Sequence, residues 1–213
     1  VNIAILDTGI DVSHPLLRDK IVIEDCWDFV NNSASICDEV GHGTHTASLL
    51  AKTAPRARIF CGRVWRKRTE DENTGRLVAE AIIHAVDKWK VHIIVMPFAF
   101  PHRNQDIADA VDHAHSKKVL LFSAASNKSD LGLGFPAYLP EVICIYSNKA
   151  STIPSTFCKL GKERRNNFST IGEEVEGAWP LHLNNGKETK RETGTSCSTP
   201  IAAGVAALIL EYA

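Results

Sequence analysis

The chain has 213 residues, 44% of them hydrophobic and 23% charged, and 24 Lys and Arg stand against 25 Asp and Glu for a formal charge of -1. This composition excludes a disordered or collagen-like chain, and the near-zero charge excludes a protein drawn as a whole onto nucleic acid or an anionic membrane. The longest apolar run, residues 201–210, covers ten positions, short of the roughly 18 a membrane span needs.

In chain order, strand-length apolar runs alternate with segments of helical period. Residues 1–6, 57–64, 91–96, 119–123 and 142–146 predict strands, most of them continuously apolar, as strands covered on both faces are. Between them, residues 76–90 set Val78, Ile82, Ala85, Val86 and Trp89 on one helical stripe, and residues 104–117 repeat the pattern with Ile107, Val111 and Ala114. Residues 181–183, then Asn184-Asn185-Gly186, then residues 188–192 predict a hairpin whose Asn-Gly supplies positive-φ positions. Residues 197–212, rich in Ala, Leu and Ile, predict a buried helix with Pro200 among its first N–H groups, which have no intrahelical acceptor to lose. This alternation predicts an α/β fold, a three-layer arrangement with a mainly parallel sheet and helices on both faces. No repeat or linker divides the chain, so residues 1–213 are expected to form one domain. A start at Val1 without a basic leader predicts an excerpt from a longer chain, with room for a propeptide or further domains.

The six cysteines, Cys26, Cys37, Cys61, Cys144, Cys158 and Cys197, include no CxxC pair and no metal-finger spacing. They favour a reducing, intracellular setting, although the sequons at Asn31 and Asn167 are compatible with secretion. The nine histidines are scattered, and His113 and His115 point to different helix faces, so no transition-metal site is expected. The basic runs at Arg66-Lys67-Arg68 beside Trp65 and at Lys162, Arg164 and Arg165 read as solvated loops, the first because Glu70, Asp71 and Glu72 follow at once.

Three segments place a reactive side chain beside glycine at the end of a regular element. Asp7-Thr8-Gly9 leaves the opening strand at the carboxyl edge of the sheet, Gly41-His42-Gly43-Thr44-His45 opens a helix, and Gly194-Thr195-Ser196-Cys197 opens another. A nucleophilic serine needs a base within hydrogen-bond reach and a third group that fixes the base's tautomer, and Asp, His and Ser supply those roles. The α/β-hydrolase elbow is set aside: Ser198 stands where its second glycine belongs, and its chain order is Ser, Asp, His.

Asp7-Thr8-Gly9-Ile10-Asp11, His42-Gly43-Thr44-His45 and Gly194-Thr195-Ser196-Cys197-Ser198-Thr199-Pro200 resemble the three signatures of the subtilisin-like serine proteases. The likeness extends to His14-Pro15-Leu16, Phe135-Pro136-Ala137, a strand and turn over residues 166–171, and Ala178-Trp179-Pro180, and so covers nearly the whole chain. It implies a serine endopeptidase acting on a polypeptide substrate through an acyl-enzyme. In that family's pattern Ser196 attacks, His42 is the base, Asp7 orients it, and Asn127 donates to the oxyanion with the Ser196 backbone N–H. His45 takes a structural place and Cys197 faces the core. No cofactor is required, and calcium, which stabilises many members, has no assignable site.

Two departures from the family's pattern concern substrate. Met96-Pro97-Phe98-Ala99-Phe100-Pro101 stands where the family has serine, leucine and two glycines on the edge that binds substrate, so Pro97, Phe98, Ala99 and Phe100 are expected to contact it. The Phe100 ring is expected to narrow the pocket, and Ser126 replaces the glycine before Asn127. These departures support a second expectation from another class, a weakly active or inactive protease-fold module that binds or regulates a protein partner.

Overall fold

The computed structural model describes residues 1–22, 25–67, 71–128, 132–158 and 166–213. Continuous apolar runs leave a strand no solvent face, and the chain accommodates them in one parallel seven-stranded sheet. Its strands are β1 (Asn2–Asp7), β2 (Trp27–Asp28), β3 (Arg58–Arg63), β4 (Ile93–Met96), β5 (Leu120–Ala124), β6 (Val142–Asn148) and β7 (Asn167–Ile171), in the order β2-β3-β1-β4-β5-β6-β7. Helices α1 (His42–Thr53), α2 (Thr74–Asp87), α3 (Gln105–Ser116) and α4 (Thr195–Tyr212) cover it.

Alternation along each strand divides the core into two layers. Ile3, Ile5, Ile59, Cys61, Ile93 and Val95 pack with Ala47, Leu50 and Ala51 of α1 and Ala203 and Ala207 of α4. Ala4, Leu6, Phe60, Ile94 and Met96 pack on the other face, with Val78, Ile82 and Val86 of α2 and Ile107 and Val111 of α3. The predicted three-layer α/β fold is therefore the fold observed. Each fully buried Ile, Leu or Val side chain contributes about 1.5–3 kcal/mol relative to exposure, so the two layers anchor the site from both sides. Among the described residues no helix is long and apolar enough to cross a membrane.

The five strands and both crossover helices lie where the sequence pattern puts them, and Asn104 caps α3 by accepting the Ile107 N–H at 3.1 Å. The hairpin differs. Its arms are β8 (Val175–Ala178) and β9 (Thr189–Glu192), whereas residues Leu181–Leu183 form a 3-10 turn after Pro180. The Asn-Gly expectation holds for the loop itself, with Asn185 at φ 50° and Gly186 at φ 78°. Helix α4 starts two residues earlier than the pattern predicts, at Thr195, which puts Pro200 sixth rather than among the first four positions. Pro200 has no N–H to offer the Ser196 carbonyl four residues back. Of the basic runs, Arg68, Lys162, Arg164 and Arg165 lie outside the described residues.

Candidate active site

The chain runs from β1 to β3 on one side and then crosses to β4 on the other, so the carboxyl end of β1 lies at the point where strand order reverses, where open α/β sheets form clefts. Asp7 ends β1 there and is 2% exposed. Its Oδ1 accepts the Thr8 N–H at 2.7 Å and its Oδ2 accepts the Thr46 hydroxyl at 2.8 Å. Both oxygens also face His42 Nδ1, at 2.7 and 2.9 Å. An Nδ1 that donates to a carboxylate leaves Nε2 as the acceptor of the neutral ring, the tautomer a general base needs.

His42 reaches this position because the first turn of α1 lies directly on the loop after β1. A β-carbon on Gly43 would run into the Gly9 carbonyl oxygen, so only glycine permits the approach. In the same cleft, Ser196 sits in the first turn of α4, where backbone N–H groups lack intrahelical acceptors and the helix dipole favours negative charge. The Asn127 side chain is oriented by that same turn: its Oδ1 accepts both the Thr195 N–H and the Thr195 hydroxyl, each at 2.9 Å. A backbone N–H can only donate, so the amide orientation is settled and Nδ2 is the remaining donor. A β-carbon on Gly194 would lie 2.8 Å from Asn127 Nδ2 and 3.3 Å from Ser196 Oγ, so both groups border the same spot.

All nine residues singled out from sequence, Asp7, His42, Ser196, Asn127, Pro97, Phe98, Ala99, Phe100 and Ser126, line this one cleft. Phe100 does so differently from the expectation. Its ring is 4% exposed and stacks on Trp65 at 5.4 Å, and its backbone N–H and C=O both pair with Phe135, so it builds the cleft wall and does not cap the opening. Ala99 lies against Gly134, its methyl 2.5 Å from where a β-carbon on Gly134 would stand, and both line the cleft. Trp65, 8% exposed, belongs to this wall rather than to a solvated loop. Its place just beyond the carboxyl end of β3 is the sequence signal for it.

Ser126 holds φ at 144°, a conformation in which a β-carbon is strained. Replacing it by glycine is expected to stabilise the fold by about 1 kcal/mol, read as a raised urea midpoint at unchanged m-value.

Two further histidines clamp the β8–β9 hairpin that leads into Ser196. His14 Nε2 donates to the Glu188 carbonyl at 2.9 Å, and His45 Nε2 donates to the Val175 carbonyl at 3.0 Å. Burial lowers the His45 pKa below its ordinary 6.5, with the nearby His42 adding to the effect against the opposing pull of the Val175 bond. The folded state therefore resists a proton that the unfolded chain takes up near pH 6.5, so this contribution is complete above that pH and is lost as pH falls toward the depressed folded value. Urea midpoints at pH 7.5 and pH 5 are expected to fall less in His45→Gln than in the unaltered chain. Some loss remains, because burial also lowers the His84 pKa.

A parallel α/β sheet that gathers a carboxylate, an imidazole and a serine hydroxyl in one cleft carries the groups of a serine hydrolase. A model of the subtilase family matches residues 1–213, and the chain belongs to that family. Thermitase from Thermoactinomyces vulgaris is 30% identical over 217 residues, covering 97% of this chain and 74% of its own length. The major intracellular serine protease of Bacillus subtilis (strain 168) is 30% identical over 230 residues, covering 100% of this chain and 69% of its own length. Among solved structures, a cold adapted subtilisin-like serine proteinase matches with a TM-score of 0.85 at 26% identity, over 99% of this chain and 75% of that one. The curated relatives are longer, and the chain spans between 51% and 74% of their lengths.

Proposed function

We propose that this cleft hydrolyses peptide bonds through an acyl-enzyme, with Ser196 as nucleophile, His42 as general base and then acid, and Asp7 as the group that orients His42. The observation that carries this reading is the bond of 2.7 Å between Asp7 and His42 Nδ1 in the cleft that Ser196 and Asn127 also line. His42 Nε2 takes the Ser196 proton as Oγ attacks the scissile carbonyl carbon, and Asp7 stabilises the imidazolium without becoming protonated. Asn127 Nδ2 and the Ser196 N–H then face the oxygen on which negative charge develops. The protonated His42 passes its proton to the leaving amine, and water repeats the sequence on the ester. Every role is filled by a group of this chain, so no cofactor is needed.

Substrate lies extended along residues 97–99. Pro97 has no N–H and the Phe100 backbone is already paired, which leaves the Phe98 and Ala99 N–H groups as the donors for strand-like pairing. Ala99→Gly is expected to raise kcat/KM for peptides with bulky side chains several-fold over that for peptides with small ones. Phe100→Gly instead removes a buried ring and is expected to destabilise the fold by about 3–5 kcal/mol. We place the protein in a reducing, intracellular compartment, on the scattered spacing of its six cysteines and the burial of five of them, where a cysteine packs as a small hydrophobe.

The test is labelling with a fluorophosphonate probe, in this chain and in the longer parent protein, alongside Ser196→Ala and His42→Ala. Labelling that both substitutions abolish supports the assignment. Absence of labelling from both unaltered forms overturns it in favour of a binding module.

A further inference from the structure

The carboxylate of Asp38 is fully buried, and among the described residues no cation pairs with it. It is held by five donors. Oδ1 accepts the Thr8 hydroxyl at 2.9 Å, the Val40 N–H at 3.0 Å and the Gly41 N–H at 2.8 Å. Oδ2 accepts the Thr44 N–H at 2.9 Å and the Thr44 hydroxyl at 2.7 Å.

The location of these donors gives the arrangement its meaning. Thr8 follows Asp7 in sequence. Gly41 precedes His42 and Thr44 comes two residues after it. One carboxylate thus grips the neighbours of both members of the Asp7–His42 pair, Thr8 by its hydroxyl and Gly41 by its backbone N–H. The linkage closes on itself, because the Thr8 hydroxyl oxygen accepts the Gly43 N–H at 2.9 Å and the Thr44 hydroxyl oxygen accepts the Asp11 N–H at 3.0 Å. Helix α1 needs such a brace from outside. Its N-cap is Gly41, which has no side chain, so the capping oxygen for the third helical residue comes from Asp38.

We propose that Asp38 is a positioning residue that sets the separation and angle of the Asp7–His42 hydrogen bond, and so the aim of His42 at Ser196; the proposal rests on the triad assignment above. Asparagine in its place is nearly isosteric but cannot satisfy the site. One oxygen would remain, and the amide N–H groups would meet either the Thr44 backbone N–H or those of Val40 and Gly41, which can only donate. Relief requires the start of α1 to move against the loop after β1. Displacements of about 1 Å between reacting groups are enough to cost about 100-fold in rate.

The experiment compares Asp38→Asn with the unaltered chain in the longest form that labels with the fluorophosphonate. In a variant shown to be folded by circular dichroism, kcat and the labelling rate of Ser196 are expected to fall together by about 10–100-fold while KM changes less than about twofold. In a His42→Ala background the same substitution is expected to change the residual rate less than twofold, because no imidazole is left to misplace. A structural role alone would not give that pattern. The Nδ1 proton of His42, which the Asp7 carboxylate accepts, is followed by one-dimensional NMR and is expected to shift or broaden in Asp38→Asn. This reports on the Asp7–His42 bond whether or not Ser196 reacts, so failure of the protease assignment leaves the role of Asp38 measurable. Thr8→Val, which removes one donor of the five, is expected to lower kcat about three- to tenfold and stands in if Asp38→Asn does not fold. A folded Asp38→Asn with kcat within twofold and an unmoved proton line overturns the proposal, as does an equal further loss in the His42→Ala background.

Discussion

Replacing His42 by alanine is expected to lower kcat about 10⁶-fold, and replacing Asp7 by asparagine about 10⁴-fold, each with KM changed less than about threefold. These are the magnitudes set by the same unit in subtilisin and in trypsin-type enzymes. The two losses differ for a physical reason. Without the imidazole there is no acceptor for the Ser196 proton and no acid for the leaving amine. With asparagine at position 7 the imidazole stays, but the amide turns an N–H toward Nδ1 and stabilises the tautomer protonated on Nε2, which cannot act as a base. The asparagine oxygen still accepts the Thr8 N–H, and the Thr46 hydroxyl, which also reaches the Gly43 carbonyl, can turn to accept from the amide nitrogen, so the effect falls on chemistry rather than folding. Steady-state hydrolysis of an unfolded protein substrate measures both. Activity within tenfold of the unaltered protein in His42→Ala would remove His42 from the mechanism.

Loss of the Asn127 donor is expected to lower kcat about 10²- to 10³-fold, again mainly without change in KM, because in the proposed mechanism its bond is to charge that exists only in the transition state. That range is itself taken from subtilisin. Asn127 has a second duty, since its Oδ1 fixes the Thr195 N–H and hydroxyl, and a variant must separate the two. Asn127→Asp keeps the acceptor for Thr195 and removes the donor, placing a negative charge where the oxyanion forms. Asn127→Ala removes both. Loss in Asn127→Asp at least as great as in Asn127→Ala assigns the effect to the oxyanion. A large loss in Asn127→Ala with near-normal Asn127→Asp would make the residue an anchor for α4 and nothing more.

Much of this architecture is legible in the sequence because it rests on local pattern. A run such as Ile93 to Met96 has no polar face and fits only a strand covered on both sides, and the stripe from Val78 to Val86 has the period of a helix. The reactive residues are legible because each lies beside a glycine at an element's end, where backbone must pass close to backbone. What stays hidden is whatever depends on a partner far along the chain. Leu181 and Leu183 alternate like a strand, yet the segment turns after Pro180, and the real partner of β9 is the weakly apolar Val175–Ala178. Phe100 looks like an obstruction from its position alone. Only its stacking on Trp65 and its pairing with Phe135 show that it faces inward. The role of Asp38 stays hidden too: four of its five donors lie within six residues of it, but Thr8, which ties it to Asp7, becomes a neighbour only when α1 docks on the end of β1.

Parallel connectivity also sets when the site comes into being. Asp7 and His42 are separated by 35 residues, Asn127 and Thr195 by 68, and His14 and Glu188 by 174. Contacts of this range form only after the entropy of closing long loops has been overcome, which makes them late events in folding. On the proposed assignment, a chain still emerging from synthesis holds Asp7 and His42 for a long interval before Ser196 is made. The proposed activity is then withheld from half-made copies until α4 seats.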